Sequence, residues 1–204
     1  MTLNDITARN VPGITERLKN KKAAIAGLGG LGSNIAVMLA RIGVGKLLLV
    51  DFDKVETSNL NRQHYNTTHI GMYKTQALKS QLELINPFVE IDILTVKVTE
   101  ENAAEVFCDY EVVCEAFDRA ESKAILVNRL LLQGDKKIVA ASGMTGYDSA
   151  NKITTKRVLN NLYVCGDSVA AEQEGIGFMS PRVMVCAGHQ ANMTVRLLLE
   201  EKTV

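Results

Sequence analysis

The residues able to act on a ligand begin with a glycine run. Gly27-Leu28-Gly29-Gly30-Leu31-Gly32 closes an apolar run over 22–27, opens a helical pattern over 31–42, and matches G-x-G-x-x-G. In that setting the first glycine permits a tight turn, the second lets backbone approach a phosphate, and the third lets helix pack on strand. The helix N-terminus behind the turn offers unpaired N–H groups and a partial positive charge. Asp51 ends the next apolar run, KLLLVD, where a carboxylate can accept hydrogen bonds from ribose hydroxyls. Strand, glycines, helix and acid in register predict a nucleotide site, which NAD and ATP fit equally well.

The segment after Asp51 separates the two nucleotides. Simple dinucleotide folds join strand to helix in about 2–6 residues, whereas here a polar stretch, 52–69, precedes the next helix. It carries amides at Asn59 and Gln63, an arginine at Arg62, and Lys74 follows it. Arginine offers a planar fork to phosphate oxygens and lysine a compact charge, a pair better suited to a triphosphate than to the two phosphates of NAD. Asp118 follows the fourth predicted strand, at the edge where open parallel sheets bind ligands. Beside a triphosphate it is a natural ligand for Mg²⁺, which takes a few carboxylates plus phosphate oxygens.

Other reactive side chains carry less. His64, His69 and His189 have no base-orienting partner in the sequence and are read as structural. Among Cys108, Cys114, Cys165 and Cys186 no pair has C-x-x-C spacing, so no zinc is expected. Cys114 and Cys186 sit in apolar runs and are read as core. Glu172 and Glu174, among glycines, are read as a loop over the substrate.

These residues need elements to hold them. Short apolar runs alternate with helical patterns, as in a parallel α/β sheet. Strands are predicted over 22–27, 46–51, 89–98, 110–116 and 137–142, with helices over 31–42, 71–85, 100–107 and 122–132. After Gly143 the pattern changes to two short strands, 152–159 and 162–165, read as antiparallel, and a last helix from Pro181 to about Glu200. The expected fold is α/β, a Rossmann-like doubly wound, mostly parallel sheet with an antiparallel C-terminal extension. The expected organisation is one domain over 1–204: an arm (1–20), a nucleotide-binding core (21–143), and strands, loop and helix (144–204).

Lys plus Arg equals Asp plus Glu at 23 each, which speaks against a broad nucleic-acid or membrane surface. No apolar run approaches the roughly 20 residues that span a bilayer. The polar first 22 residues lack a signal peptide's apolar stretch. A cytoplasmic protein with reduced thiols is expected.

GLGGLGS, VGKLLLVDFDKVETSNLNRQ, GMYK and EAFDRAESK, in that order over about 22–142, resemble the nucleotide-binding blocks of the ThiF/MoeB family. That family is homologous to the adenylation domains of ubiquitin-activating enzymes. The ARNVPG start and the LYVCGD and MSPR tail resemble a short subgroup linked to thiamine biosynthesis. The resemblance implies that Gly27, Gly29, Gly30 and Gly32 line the ATP backbone contacts and that Asp51 holds the ribose. It puts Asn59, Arg62, Gln63 and Lys74 near the phosphates and gives Asp118 the Mg²⁺. It implies a homodimer, with Arg9 the candidate for reaching the partner's ATP. Many relatives carry two C-x-x-C pairs for zinc, which this chain lacks. Some use a loop cysteine for acyl or sulfur transfer, for which Cys165 is the candidate.

The expected activity is adenylation by ATP of the C-terminal carboxylate of a ubiquitin-fold sulfur carrier ending in Gly-Gly. The alternatives are an NAD-dependent oxidoreductase, for which only about 60 residues after the fifth strand leave little room, and a non-catalytic nucleotide-binding subunit.

Overall fold

A computed structural model describes residues 1–169 and 177–204. The expected loop with Glu172 and Glu174 lies outside the described residues. Five apolar runs become parallel strands: β1 (Lys22–Ala26), β2 (Lys46–Val50), β3 (Glu90–Leu94), β4 (Val112–Glu115) and β5 (Lys137–Ala141). Two more, β6 (Thr154–Leu159) and β7 (Leu162–Gly166), complete one sheet in the order β3-β2-β1-β4-β5-β7-β6. The sheet is α/β, mostly parallel and doubly wound, as expected. The β6–β7 hairpin is antiparallel, but β7 runs parallel to β5, so only β6 departs from the common direction.

The helices are α1 (Leu3–Ile6), α2 (Ile14–Leu18), α3 (Gly30–Arg41), α4 (Lys74–Ile85), α5 (Ala103–Val106), α6 (Ala120–Leu131) and α7 (Ser180–Leu198). The side chain of α7 residue Gln190 reaches across its face of the sheet, donating to the backbone carbonyls of Glu115 and Val139 at 2.9 and 3.0 Å. On the same face α7 lies beside α3, with Val183 against Gly30. The core of that face includes Ile25, Leu47, Leu49, Val112, Cys114 and Val139, all fully buried. The second face is covered around Phe107, Leu126 and Leu130.

The first residues are not a plain arm. They form α1 and α2, which dock at the far end of α3, where Asn10 Nδ2 donates to the Ile42 carbonyl at 2.9 Å. The strand order reverses between β1 and β4, where open α/β sheets leave a crevice at the carboxyl ends.

Candidate functional site

Gly27 follows β1 with φ +91°, and a Cβ there would lie 2.7 Å from the Ala116 carbonyl oxygen. Only glycine lets this turn pass so close to the end of β4. Gly32 is tighter still, since its Cβ would sit 1.7 Å from the Gly27 oxygen. Between them Gly29 is the N-cap of α3 and makes no side-chain cap bond. The helix therefore presents its first N–H groups and its positive dipole end without an internal partner, which is the condition for binding an anion.

Asp51 crosses the turn from β2. Its carboxylate accepts from the Leu28 N–H at 2.7 Å and the Asp53 N–H at 2.8 Å. Burial pushes this carboxyl up from its ordinary value, while Lys74 and the two backbone donors pull against the rise. Lys74, at the first position of α4 and only 6% exposed, has its Nζ 2.9 Å from Asp53 Oδ2 and 4.0 Å from Asp51 Oδ2. The predicted cation is thus tied to the predicted ribose acid.

The polar insertion does not hang in solvent. Asn59 is buried in a short 3-10 turn, Thr57–Asn59, where its Oδ1 accepts from the Glu56 N–H at 3.0 Å. The chain then lies across the start of α3. Asn34 Nδ2 donates to the Arg62 carbonyl at 3.1 Å, Ser33 Oγ accepts from the His64 N–H at 2.9 Å, and Tyr65 donates to the Leu28 carbonyl at 2.9 Å. These contacts set the Gln63 amide 3.7 Å from where a Gly29 Cβ would be and the Arg62 stem 3.4 Å from that of Gly30. Among the described residues Gln63 Oε1 is buried without a hydrogen-bond partner, an acceptor beside the uncapped helix. The Arg62 guanidinium donates to Ser58 O and Asn61 Oδ1 at 3.1 and 2.8 Å and stacks 5.5 Å from the Phe178 ring.

Asp118 is exposed on the turn after β4, next to the Gly27 crossing. It is not the cap of α6, because Arg119 holds the N-cap position and no side chain caps that helix. An exposed carboxylate at this edge fits a cation that takes its other ligands from phosphate and water. Among the described residues no three His, Cys, Asp or Glu side chains gather into a metal-holding group.

Two predicted residues are not among the contacts of the glycine turn. Arg9 is exposed beyond α1, at the opposite end of α3, a helix of 12 residues and hence about 18 Å long. Cys165 is fully buried on β7, its thiol pushed up to about 11 by burial, with Thr155 Oγ1 3.5 Å away. A thiol so placed stays protonated and shielded at neutral pH.

Tyr65, Ser33, Asn34 and Phe178, all in contact with the site, escape the sequence reading. Ser33 and Asn34 sit two residues inside an apolar helical pattern, and only the fold shows that they anchor the insertion. A further pair, Glu115 and Lys123, lies beneath Asp118; a glutamate closing the apolar run YEVVCEA was the available signal.

Known proteins resemble this chain. The adenylyltransferase and sulfurtransferase UBA4 of Candida glabrata is 32% identical over 191 residues, covering 90% of this chain and 43% of that protein. The sulfur carrier protein adenylyltransferase of Thermus thermophilus is 34% identical over 127 residues, covering 62% of this chain and 47% of that protein. The chain thus spans under half the length of these curated relatives. Among solved structures, the ATP complex of the E. coli tRNA N6-threonylcarbamoyladenosine dehydratase TcdA matches with a TM-score of 0.87 at 19% identity, covering 98% of this chain and 94% of that one. The family model of the ThiF family matches residues 3–204, and the chain belongs to that family.

Proposed function

We propose that this chain is an adenylyltransferase that activates the C-terminal glycine carboxylate of a ubiquitin-fold, Gly-Gly-ended sulfur carrier with MgATP. The observation that carries the reading is the seating of the insertion on the start of α3, with Arg62 and Gln63 bordering Gly30 and Gly29. A triphosphate makes fuller use of that cation than the two phosphates of NAD do. The names of the curated relatives, adenylyltransferases in each case, point the same way.

On this reading the phosphates lie over the uncapped turn and Asp51 accepts from the ribose. Arg62 trades its backbone and Asn61 contacts for phosphate oxygens, and Lys74 turns from Asp53 toward them. Asp118 would hold Mg²⁺, which when bound neutralises charge building on the leaving phosphates. A carboxylate oxygen of the carrier attacks the α-phosphorus, the bond from that phosphorus to its bridging oxygen breaks, and pyrophosphate leaves. The attacker is already ionised at neutral pH, so the residues position and neutralise rather than move protons.

The finer reading is a cytoplasmic homodimer serving thiamine thiazole synthesis. An apolar cleft of about 320 Å³ between α2, α3 and α7, lined by Val11, Ile14, Met38 and Val195, is a surface that a second copy would cover. Arg9, too far from its own turn, would serve the partner's site.

A second reading has one observation in its favour: TcdA matches nearly end to end, unlike the longer curated relatives. There the adenylated carboxylate would belong to a modified nucleoside in tRNA. Incorporation of labelled pyrophosphate into ATP, assayed with a panel of Gly-Gly-ended carriers and with modified tRNA, tests both. Carrier-dependent exchange is expected; exchange with tRNA alone, or binding of NAD in preference to MgATP, overturns the proposal.

A further inference from the structure

We infer that Glu115, which is buried, and Lys123, which is partly exposed, form a clamp that positions Asp118 for the metal-bound nucleotide. The inference rests on the adenylation reading above. Glu115 is the last residue of β4 and has no exposed surface. Its Oε1 accepts from the Phe117 N–H at 2.7 Å and from Lys123 Nζ at 3.1 Å, and its Oε2 accepts from Lys123 Nζ at 3.0 Å. Lys123, in the first turns of α6, also donates to the Ala141 carbonyl at the end of β5, 3.2 Å away. One ammonium thus ties together the ends of two strands and the start of a helix.

The backbone on either side of the carboxylate is held as well. Gln190 Nε2 donates to the Glu115 carbonyl at 2.9 Å, and the Ala116 N–H donates to the Ala26 carbonyl at 2.8 Å. The turn from 116 to 122 is therefore fixed at its base by Glu115 and at its far side by Lys123, with Phe117 pinned between. Asp118 rides on that turn, exposed, and among the described residues it has no hydrogen-bond or ion-pair partner of its own. Its place beside the glycine turn is set by its neighbours.

Stability does not call for such a pair. Removing two charges from water costs about as much as their attraction returns, and packed apolar side chains of similar volume commonly support a fold as well. An apolar pair cannot, however, accept from the Phe117 N–H or fix the turn's direction. Groups that orient a metal-binding carboxylate typically change metal affinity by about 10–100-fold when removed. Glu115 and Lys123 are positioning residues, not catalytic ones.

The test uses Glu115→Gln, Lys123→Met and the double variant Glu115→Leu/Lys123→Met in the full chain. ATP binding is measured by calorimetry with Mg²⁺ and with EDTA, and hydrogen exchange is followed at the Phe117 amide. Each variant is expected to bind ATP on the order of 10–100-fold more weakly with Mg²⁺ and to bind it equally with EDTA, and the double variant, which lacks an acceptor for that N–H, to lose Phe117 protection. Asp118→Asn should remove the same Mg²⁺-dependent increment, and adding Glu115→Gln to it should change nothing more, since residues acting through one another are not additive. Should a single variant unfold, the double variant, with no charge left unpaired, is expected to regain thermal stability without regaining the Mg²⁺ increment. A double variant that binds MgATP like the native chain overturns the clamp, and so does a loss of equal size in EDTA. Retained Phe117 protection in the double variant sinks the clamp alone, whereas failure of the native chain to bind MgATP sinks the adenylation reading itself.

Discussion

The Nζ of Lys74 lies 2.9 Å from the Asp53 carboxylate and 4.0 Å from that of Asp51, nearly out of reach of solvent. A buried cation between two acids is held ready for a third anion, and only the half-exposed Asp53 must release it. Lys74→Ala should slow carrier-dependent pyrophosphate exchange by about 10²–10³-fold, as the loss of one preorganised charge does elsewhere. Asp51 keeps its two backbone donors, so unfolding in urea should show a loss of only about 1–3 kcal/mol. Near-native exchange by this variant would remove Lys74 from the site.

The glycines separate ligand from fold. At Gly29 a Cβ would meet only the Gln63 amide, at an ordinary 3.7 Å, and the backbone needs no positive φ. Gly29→Ala is expected to fold with a stability change under about 1 kcal/mol while losing nucleotide affinity, because the methyl fills the space a phosphate would take. At Gly32 the added Cβ would lie 1.7 Å from the Gly27 oxygen, so Gly32→Ala should cost about 3 kcal/mol or more or fail to fold. Melting temperature and ATP titration on both variants check the contrast; unchanged ATP affinity in Gly29→Ala would mean that nothing approaches the turn there.

Strands β1, β2, β4 and β5 were legible because each is a short apolar run buried on both faces, the edge strand β3 because Ile91 and Ile93 alternate with polar residues, and the glycine turn because its spacing has one geometric use. Boundaries were set by partners that a sequence does not display. The strand expected over 89–98 ends at Leu94, since β2, its only neighbour among the described residues, ends opposite it at Val50. The helix expected from Gly71 begins at Lys74 because Gly71 has φ +87° and its N–H is bound to the Val55 carbonyl. In the site, Arg62, Gln63, Asp51 and Lys74 were named from residue type and order. The groups that hold them, Ser33, Asn34 and Tyr65, were not, because a polar side chain in a helix pattern reads as solvent-facing until the element above it is known. Glu115 and Lys123 are divided by the turn they close, and no periodicity links them.

Burial, with Arg41 and His69 adding to it, lowers the His64 imidazole below 6.5. The folded chain therefore takes up this proton later than the unfolded chain as pH falls. Its contribution to stability is full above about 6.5 and is lost as pH drops through the folded value, where the unfolded state binds more protons. The melting temperature should fall between pH 7 and 5, and His64→Gln should flatten that slope while keeping the backbone bonds of residue 64 to Ser33 and Gln81. An unchanged slope would assign the acid sensitivity to other groups.

The four thiols should divide one against three. Cys108 is exposed, whereas Cys114, Cys165 and Cys186 are buried. Burial pushes the three up to about 12, 11 and 12 respectively. Only a thiolate reacts, and only where the reagent can reach it. A disulfide reagent at pH 8 should therefore modify one thiol rapidly in the native chain and four after denaturation. Cys165→Ser should keep carrier adenylation, because the thiol is buried beside Thr155 and is not among the contacts of the turn's glycines. Rapid native labelling of Cys165, or loss of pyrophosphate exchange in Cys165→Ser while the fold persists, would show that β7 opens and would restore this thiol as a candidate for the chemistry.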